Sequence, residues 1–295
     1  MTNPELAPSS EAPMAMSIDV EDWLHIVNLK AAIPIDSWET QERRVEKNTR
    51  RMLELINKHG ARSTCFVLGW VAERHPQLVR DIVAAGHELA SHGYGHELLY
   101  NIGPKKFRKD LRRSKHLLED ISGVQVHGYR APNFSITDWA IEILAEEGFT
   151  YDSSSFPTVT HDRYGRLSAM PAGARVGQLQ KNFDEVCVSC LEVAGKNIPW
   201  GGGGYLRIYP LWLFSRGVHR IHSAGHPYVF YTHPWEIDPG QPRIRGIKRS
   251  YAFRHYVNLA KCESRWESLL RSFRWTTLQE VIRWSRDNRS LPSNS

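Results

Sequence analysis

Met16-Ser17-Ile18-Asp19-Val20-Glu21-Asp22-Trp23 reads as a short buried strand that ends in three acids. Strand alternation puts Asp19 and Glu21 on one face, and Asp22 can turn inward where the strand breaks. Acids at the exit of an apolar strand are poorly explained by solubility, although alone they also suit a helix cap or an acidic loop. From here outward, strand-like and helix-like patterns alternate. A helical spacing over 42–59 carries Val45, Met52, Leu53, Leu55 and Ile56 and stops at Gly60. A β-rich run at 63–68 follows, then a short helix over 76–85 with Pro76 at its opening and Gly86 past its end. The pattern continues with a strand at 88–91, a basic amphipathic helix at 104–120, a strand at 126–129, a helix at 137–147 and a strand at 149–152. Such alternation predicts an α/β fold of parallel strands with right-handed crossovers.

Past 152 the rhythm loosens. Residues 183–193 look like strand, Gly201–Gly204 like a flexible turn, 210–224 like helix and 228–232 like a compact strand, with helical patterns near 263–271 and 277–286. The expected organisation is one domain over 16–290, with 240–290 a C-terminal helical extension and 1–15 a disordered lead.

Composition narrows the class. The 295 residues are 41% hydrophobic and 24% charged with ten tryptophans, which excludes a disordered chain, a collagen-like repeat and a heptad rod. No run approaches the roughly eighteen apolar residues of a membrane span. The first sixteen residues lack a basic and an apolar signal region, so a cytoplasmic setting is expected. Cys65, Cys187, Cys190 and Cys262 are too sparse for a disulfide framework and are expected to be ordinary buried thiols. The net charge is +6, and most of the basic excess lies in 105–115 and 243–254. Neither stretch carries a nucleic-acid-binding motif, so no nucleic-acid partner is expected. The second suits an anionic substrate or phospholipid headgroups.

Four further polar clusters sit at predicted strand ends. Ser91-His92-Gly93-Tyr94-Gly95-His96 offers two imidazoles four residues apart, able to approach one divalent ion, with glycines that let the backbone bend around it. Arg130 in Tyr129-Arg130-Ala131-Pro132 can clamp a carboxylate. Tyr151-Asp152-Ser153-Ser154 also suits a helix cap or a turn. His233, in Tyr231-Thr232-His233-Pro234-Trp235-Glu236, suits a general acid but equally a satisfied core histidine. Trp23, Tyr94, Trp200, Tyr205 and Trp235 fall in or near predicted loops, where rings can stack on sugar faces, although most tryptophans fill cores.

Taken in order, the acid cluster, H-x-x-x-H, R-x-P, D-S-S and strand-end histidine resemble the five motifs of the polysaccharide deacetylases, the NodB-homology family (carbohydrate esterase family 4). The resemblance spans 16–236. With D-V-E-D-W at the first motif, Gly201–Tyr205 and the tail after Pro242, it extends to 16–285 for a branch associated with bacterial exopolysaccharide loci. It implies a distorted (β/α)7-type barrel and a metal-dependent hydrolase that removes N-acetyl groups from an amino-sugar polymer or a lipid-linked glycan. By the same resemblance, Asp19 is the catalytic base, Arg130 orients it, and His233 is the general acid. His92 and His96 are metal ligands. The carboxylate ligand stays open: a D-x-D alignment nominates Glu21, while adjacency and short reach nominate Asp22, which is slightly preferred. The expected cofactor is one divalent ion, Zn2+ first, with Fe, Co or Ni also able to fill such a site. Pro132 and Asp152 fall in the third and fourth motifs and join the five aromatics as substrate-binding candidates. The fourth motif here lacks the tryptophan found in many relatives. Two other readings stand beside this one, a hydrolase of small cyclic amides (allantoinase-like) and a non-catalytic carbohydrate-binding barrel.

Overall fold

The computed structural model describes residues 11–158, 164–165 and 167–290. Its central strand is β1 (Met14–Val20), all seven residues of which are buried, so it starts two residues earlier than the hydrophobic pattern suggests. Most of the expected disordered lead, residues 1–10, lies outside the described residues. After β1 the chain forms α1 (Val45–Lys58), β2 (Thr64–Val67), α2 (Gly69–Arg74), α3 (Pro76–Ala84), β3 (Glu88–Ser91) and α4 (Leu99–Ser122). Next come β4 (Gly128–Tyr129), α5 (Asp138–Glu146) and β5 (Tyr151–Asp152). The predicted helix at 104–120 is the long limb of α4, which bends at Gly103 (φ 69°) just before Pro104. Proline opens a helical limb here rather than breaking one.

The second half is less regular. An antiparallel hairpin of β6 (Val176–Gln180) and β7 (Phe183–Val186) is followed by a separate hairpin of β8 (Cys190–Val193) and β9 (Lys196–Pro199). The single strand expected over 183–193 is therefore two strands in two sheets. Then follow α6 (Gly203–Ile208), α7 (Leu211–Ser223), β10 (Tyr228–Thr232), α8 (Arg249–Tyr256), α9 (Leu259–Ser272), β11 (Trp275–Thr276) and α10 (Leu278–Ser290). No helix among the described residues is long and apolar enough to cross a membrane. All four cysteines are buried and free.

The main sheet runs β10-β1-β2-β3-β4-β5-β7-β6, and the pairs from β10 through β7 are parallel. β11 pairs with the start of β1, on the edge that β2 occupies further along. The curled sheet is a distorted barrel that stays open between its edge strands, β6 and β10. Residues 187–202 close that seam with backbone contacts: Val188 N–H donates to the Ser155 carbonyl, Ser189 N–H to Val229 and Tyr231 N–H to Gly201. The glycine run here is a device for close approach, since a Cβ on Gly202 would stand 2.7 Å from the Tyr231 ring. Parallel barrels present their chemistry at the C-terminal strand ends, and the polar clusters read from the sequence all lie there.

Candidate active site

Asp19 lies near the end of β1 and Glu21 just past it; His92 and Arg130 follow β3 and β4 directly, and His233 follows β10. All five converge. Arg130 is fully buried and its guanidinium is spent inward. Nη1 donates to Asp19 Oδ1 (2.7 Å) and Ser17 Oγ (2.8 Å), while Nε and Nη2 donate to the Ser153 carbonyl (2.8 Å) and hydroxyl (2.9 Å). A buried cation needs this degree of satisfaction. It fixes Asp19 so that Oδ2 stands 3.8 Å from His233 Nε2.

Glu21, His92 and His96 each offer one ligand atom, all within 4.8 Å of one another. The loop that carries the histidines is pinned by Asp110 on α4, which accepts the N–H groups of Tyr94 (2.7 Å) and Gly95 (3.0 Å). A Cβ on Gly93 (φ 72°) would meet that carboxylate at 2.9 Å. His96 itself takes a left-handed backbone (φ 52°), a conformation uncommon outside glycine. His92 Nδ1 lies 2.8 Å from the Arg130 carbonyl. A carbonyl only accepts, so Nδ1 carries the proton and Nε2 presents a lone pair. Burial pushes the His92 imidazole down to about 4.

Two lone-pair atoms thus face each other, His92 Nε2 and Glu21 Oε2, 4.0 Å apart. Glu21 Oε2 also lies 2.5 Å from His96 Nε2, yet it has no partner in hydrogen-bonding geometry. A buried acceptor with two nitrogens turned on it, one oriented by a backbone carbonyl, fits a divalent cation.

Asp22 takes no part. Its Oδ1 accepts the Trp23 N–H (2.9 Å), and Oδ2 accepts those of Arg44 (2.6 Å) and Val45 (2.9 Å). The preference for Asp22 as ligand is therefore corrected: it caps α1 from far upstream, because Arg44 at the helix entry offers no cap of its own. Asp22→Ala is expected to lower stability by about 1–3 kcal/mol, the cost of leaving buried N–H groups unpaired, with metal stoichiometry unchanged. Thermal unfolding and metal analysis on the same sample check this.

His233 belongs to a buried chain that the sequence reading missed. Its Nδ1 lies 2.9 Å from Glu236 Oε1, and Glu236 Oε2 accepts from Arg207 Nε (2.8 Å). Arg207, on α6, is anchored further by the carbonyls of Arg254, His255 and Val257. Burial raises the Glu236 carboxyl, but Arg207 and His233 outweigh it and hold the group at about 2. Burial likewise disfavours the His233 imidazolium, and Glu236, Glu21 and Asp19 reverse that, raising it to about 9. A Cβ on Gly203 would strike Glu236 at 2.4 Å, so glycine there makes room for the carboxylate. The acid three residues after His233 was legible; its arginine partner, 29 residues upstream, was not.

The aromatics divide. Trp235 stacks on His233 (5.1 Å between centroids), and its indole N–H points at Glu21 Oε1 (3.4 Å). Trp23 and Trp200 are core residues, with indole N–H groups spent on the carbonyls of Glu42 and Phe214. Neither is a sugar platform. Tyr205 is half-buried beside Tyr209, and Tyr94 donates to Glu73 under the Arg113 guanidinium. Pro132 and Asp152 are buried; Asp152 accepts the Ser154 N–H and hydroxyl and is not turned to a ligand. The rings flanking the centre are instead Phe134 and Tyr231 (4.8 Å apart), near Arg130 and His233.

Comparison with known proteins agrees with this geometry. Residues 36–151 match the polysaccharide deacetylase family model, and residues 153–283 match a domain of unknown function, DUF3473. The first half of the chain is thus similar to the polysaccharide deacetylases. Its deacetylase stretch is 35% identical over 104 residues to a peptidoglycan deacetylase of Helicobacter pylori, covering 35% of this chain and 36% of that one. It is 38% identical over 65 residues to a chitooligosaccharide deacetylase of Sinorhizobium fredii, covering 22% of this chain and 28% of the relative. The matched stretch thus spans about a third of the length of these curated relatives. A crystal structure from Mycobacterium smegmatis, described as that of a polysaccharide deacetylase, superimposes with a TM-score of 0.65 at 21% identity, over 99% of this chain and 96% of that one. That likeness shows a shared fold over most of the chain.

Proposed function

We infer that this protein is a metal-dependent hydrolase that removes N-acetyl groups from an amino-sugar polymer or a lipid-linked glycan, of the kind built into bacterial envelopes and exopolysaccharides. The observation that carries the reading is the convergence of two sets of groups on one strand-end hollow. One is a buried ligand triad, Glu21, His92 and His96; the other is a fixed carboxylate and a protonated imidazole, Asp19 and His233. The glycan class rests on the deacetylase relatives, and the exopolysaccharide setting on the first-motif resemblance.

Glu21, His92 and His96 would hold the divalent ion, zinc by the nitrogen and oxygen character of the set, and the ion would supply Lewis acidity to the acyl carbonyl and to water. Asp19 Oδ2 takes the proton of the attacking water, while Arg130 keeps the carboxylate aimed. His233 Nε2 delivers a proton to the departing nitrogen, so acetate and a free amine leave together. Glu236 and Arg207 position that imidazole and keep it charged. Trp235, stacked on the ring, limits its motion.

The test is metal content measured together with acetate release from N-acetylglucosamine oligomers. Acetate that stops with a chelator and resumes on adding zinc supports the reading. Metal-loaded protein that releases no acetate from any N-acetylated glycan overturns it.

A further inference from the structure

The proposed chemistry leaves one motif unused, the basic stretch after Pro242. Residues 239–262 contain six lysines and arginines and no acid, while the other thirty-two cations of the chain are matched by thirty-two acids. The excess in these residues thus equals the net charge of the whole chain, +6. Several surface arginines elsewhere are paired, Arg50 with Asp81, Arg51 with Glu263 and Arg112 with Glu147. Arg243, Arg245, Lys248, Arg249 and Arg254 are all exposed, and among the described residues none makes an ion pair. On α8 a helical period of 3.6 puts Arg249 and Phe253 on one outward face, with Phe253 roughly opposite buried His255, and exposed Arg254 flanks that face. Phe253 stands out among them with 60% of its surface exposed. Uncompensated cations around a protruding aromatic ring combine the two forces that hold a protein at a lipid interface: headgroup charge attracts the cations, and the acyl boundary takes the ring.

We propose that the surface formed by residues 243–254 docks this protein on the face of an anionic lipid bilayer. Docking there sets the catalytic hollow close to the membrane, because His255, on the inner side of α8, packs against Trp235 (4.8 Å), which stacks on His233. A free polyanion would engage the cations but would have no use for Phe253, which is why the bilayer is favoured.

The experiment is co-sedimentation of the full-length protein with phosphatidylcholine vesicles, with and without phosphatidylglycerol, alongside binding to soluble polyphosphate. Binding is expected only with phosphatidylglycerol and should weaken steeply as salt rises. Each cation near such a surface contributes about fivefold, so R245E with R249E should weaken binding by roughly 25-fold or more. Phe253→Ser should weaken vesicle binding severalfold and leave polyphosphate binding unchanged. Because these side chains are exposed, the variants are expected to keep the unfolding temperature of the native chain. Failure to bind anionic vesicles overturns the proposal. So does vesicle binding indifferent to Phe253, which would mark a site for soluble polyanions instead. Neither measurement depends on catalysis, so the result stands apart from the deacetylase reading.

Discussion

Substituting His233 by alanine is expected to lower kcat on an N-acetylglucosamine oligomer by about 10²–10⁴-fold, the usual worth of a positioned general acid. The amine is a poor leaving group until it is protonated, and the nitrogen that can supply the proton, His233 Nε2, stands 3.8 Å from Asp19 and 3.7 Å from Glu21. Folding should survive the substitution. Glu236 keeps its bond to Arg207, the Thr232 hydroxyl and the backbone N–H of residue 233, so no buried charge is stranded. Metal content should be retained, since the triad does not include His233. Glu236→Gln should lower kcat with little change in KM, because it leaves the imidazole in place and removes only the charge that keeps it protonated. Near-normal turnover in His233→Ala would move the acid to another residue.

The second large effect is expected at Glu21. Glu21→Gln keeps the shape of the side chain but removes the anionic donor from between two imidazoles. The variant should purify without stoichiometric metal, and hydrolysis should fall to background even with zinc added at the level that restores the chelated native protein. Asp22→Ala is the matched control, one residue away and with the opposite expected phenotype: metal-competent but less stable. If the two phenotypes were exchanged, the assignment of ligand and cap would be reversed.

These two carboxylates mark where sequence reasoning ends. That strand-end acids, paired histidines, an arginine and a late histidine belong together was readable from their order and from their places after apolar runs. Choosing between Glu21 and Asp22 was not, because the choice depends on where α1 begins relative to the loop before it. Asp22 is consumed by two N–H groups more than twenty residues away. Trp23 and Trp200 were misplaced for a related reason: a loop position says little about exposure when the indole N–H finds a buried carbonyl. The first half of the barrel was legible because helix and strand periods alternate cleanly there. The seam was not, since residues 187–202 close it with isolated backbone contacts that leave no periodic trace.

The position of β1 has a consequence for biosynthesis. Its partners are β2, near residue 64, and also β10 and β11, at 228–232 and 275–276, so the first described strand sits beside strands made about two hundred residues later. The three ligands of the triad all lie within the first ninety-six residues. Yet the strand that presents Glu21 has one side bare until β10, more than two hundred residues later, has left the ribosome. Such long-range closure is slow and leaves apolar edges exposed while it waits. A nascent chain should therefore gain firm hold of its ion only once β10 and β11 have been made, and a chain cut short after β5 should be prone to aggregation and inactive.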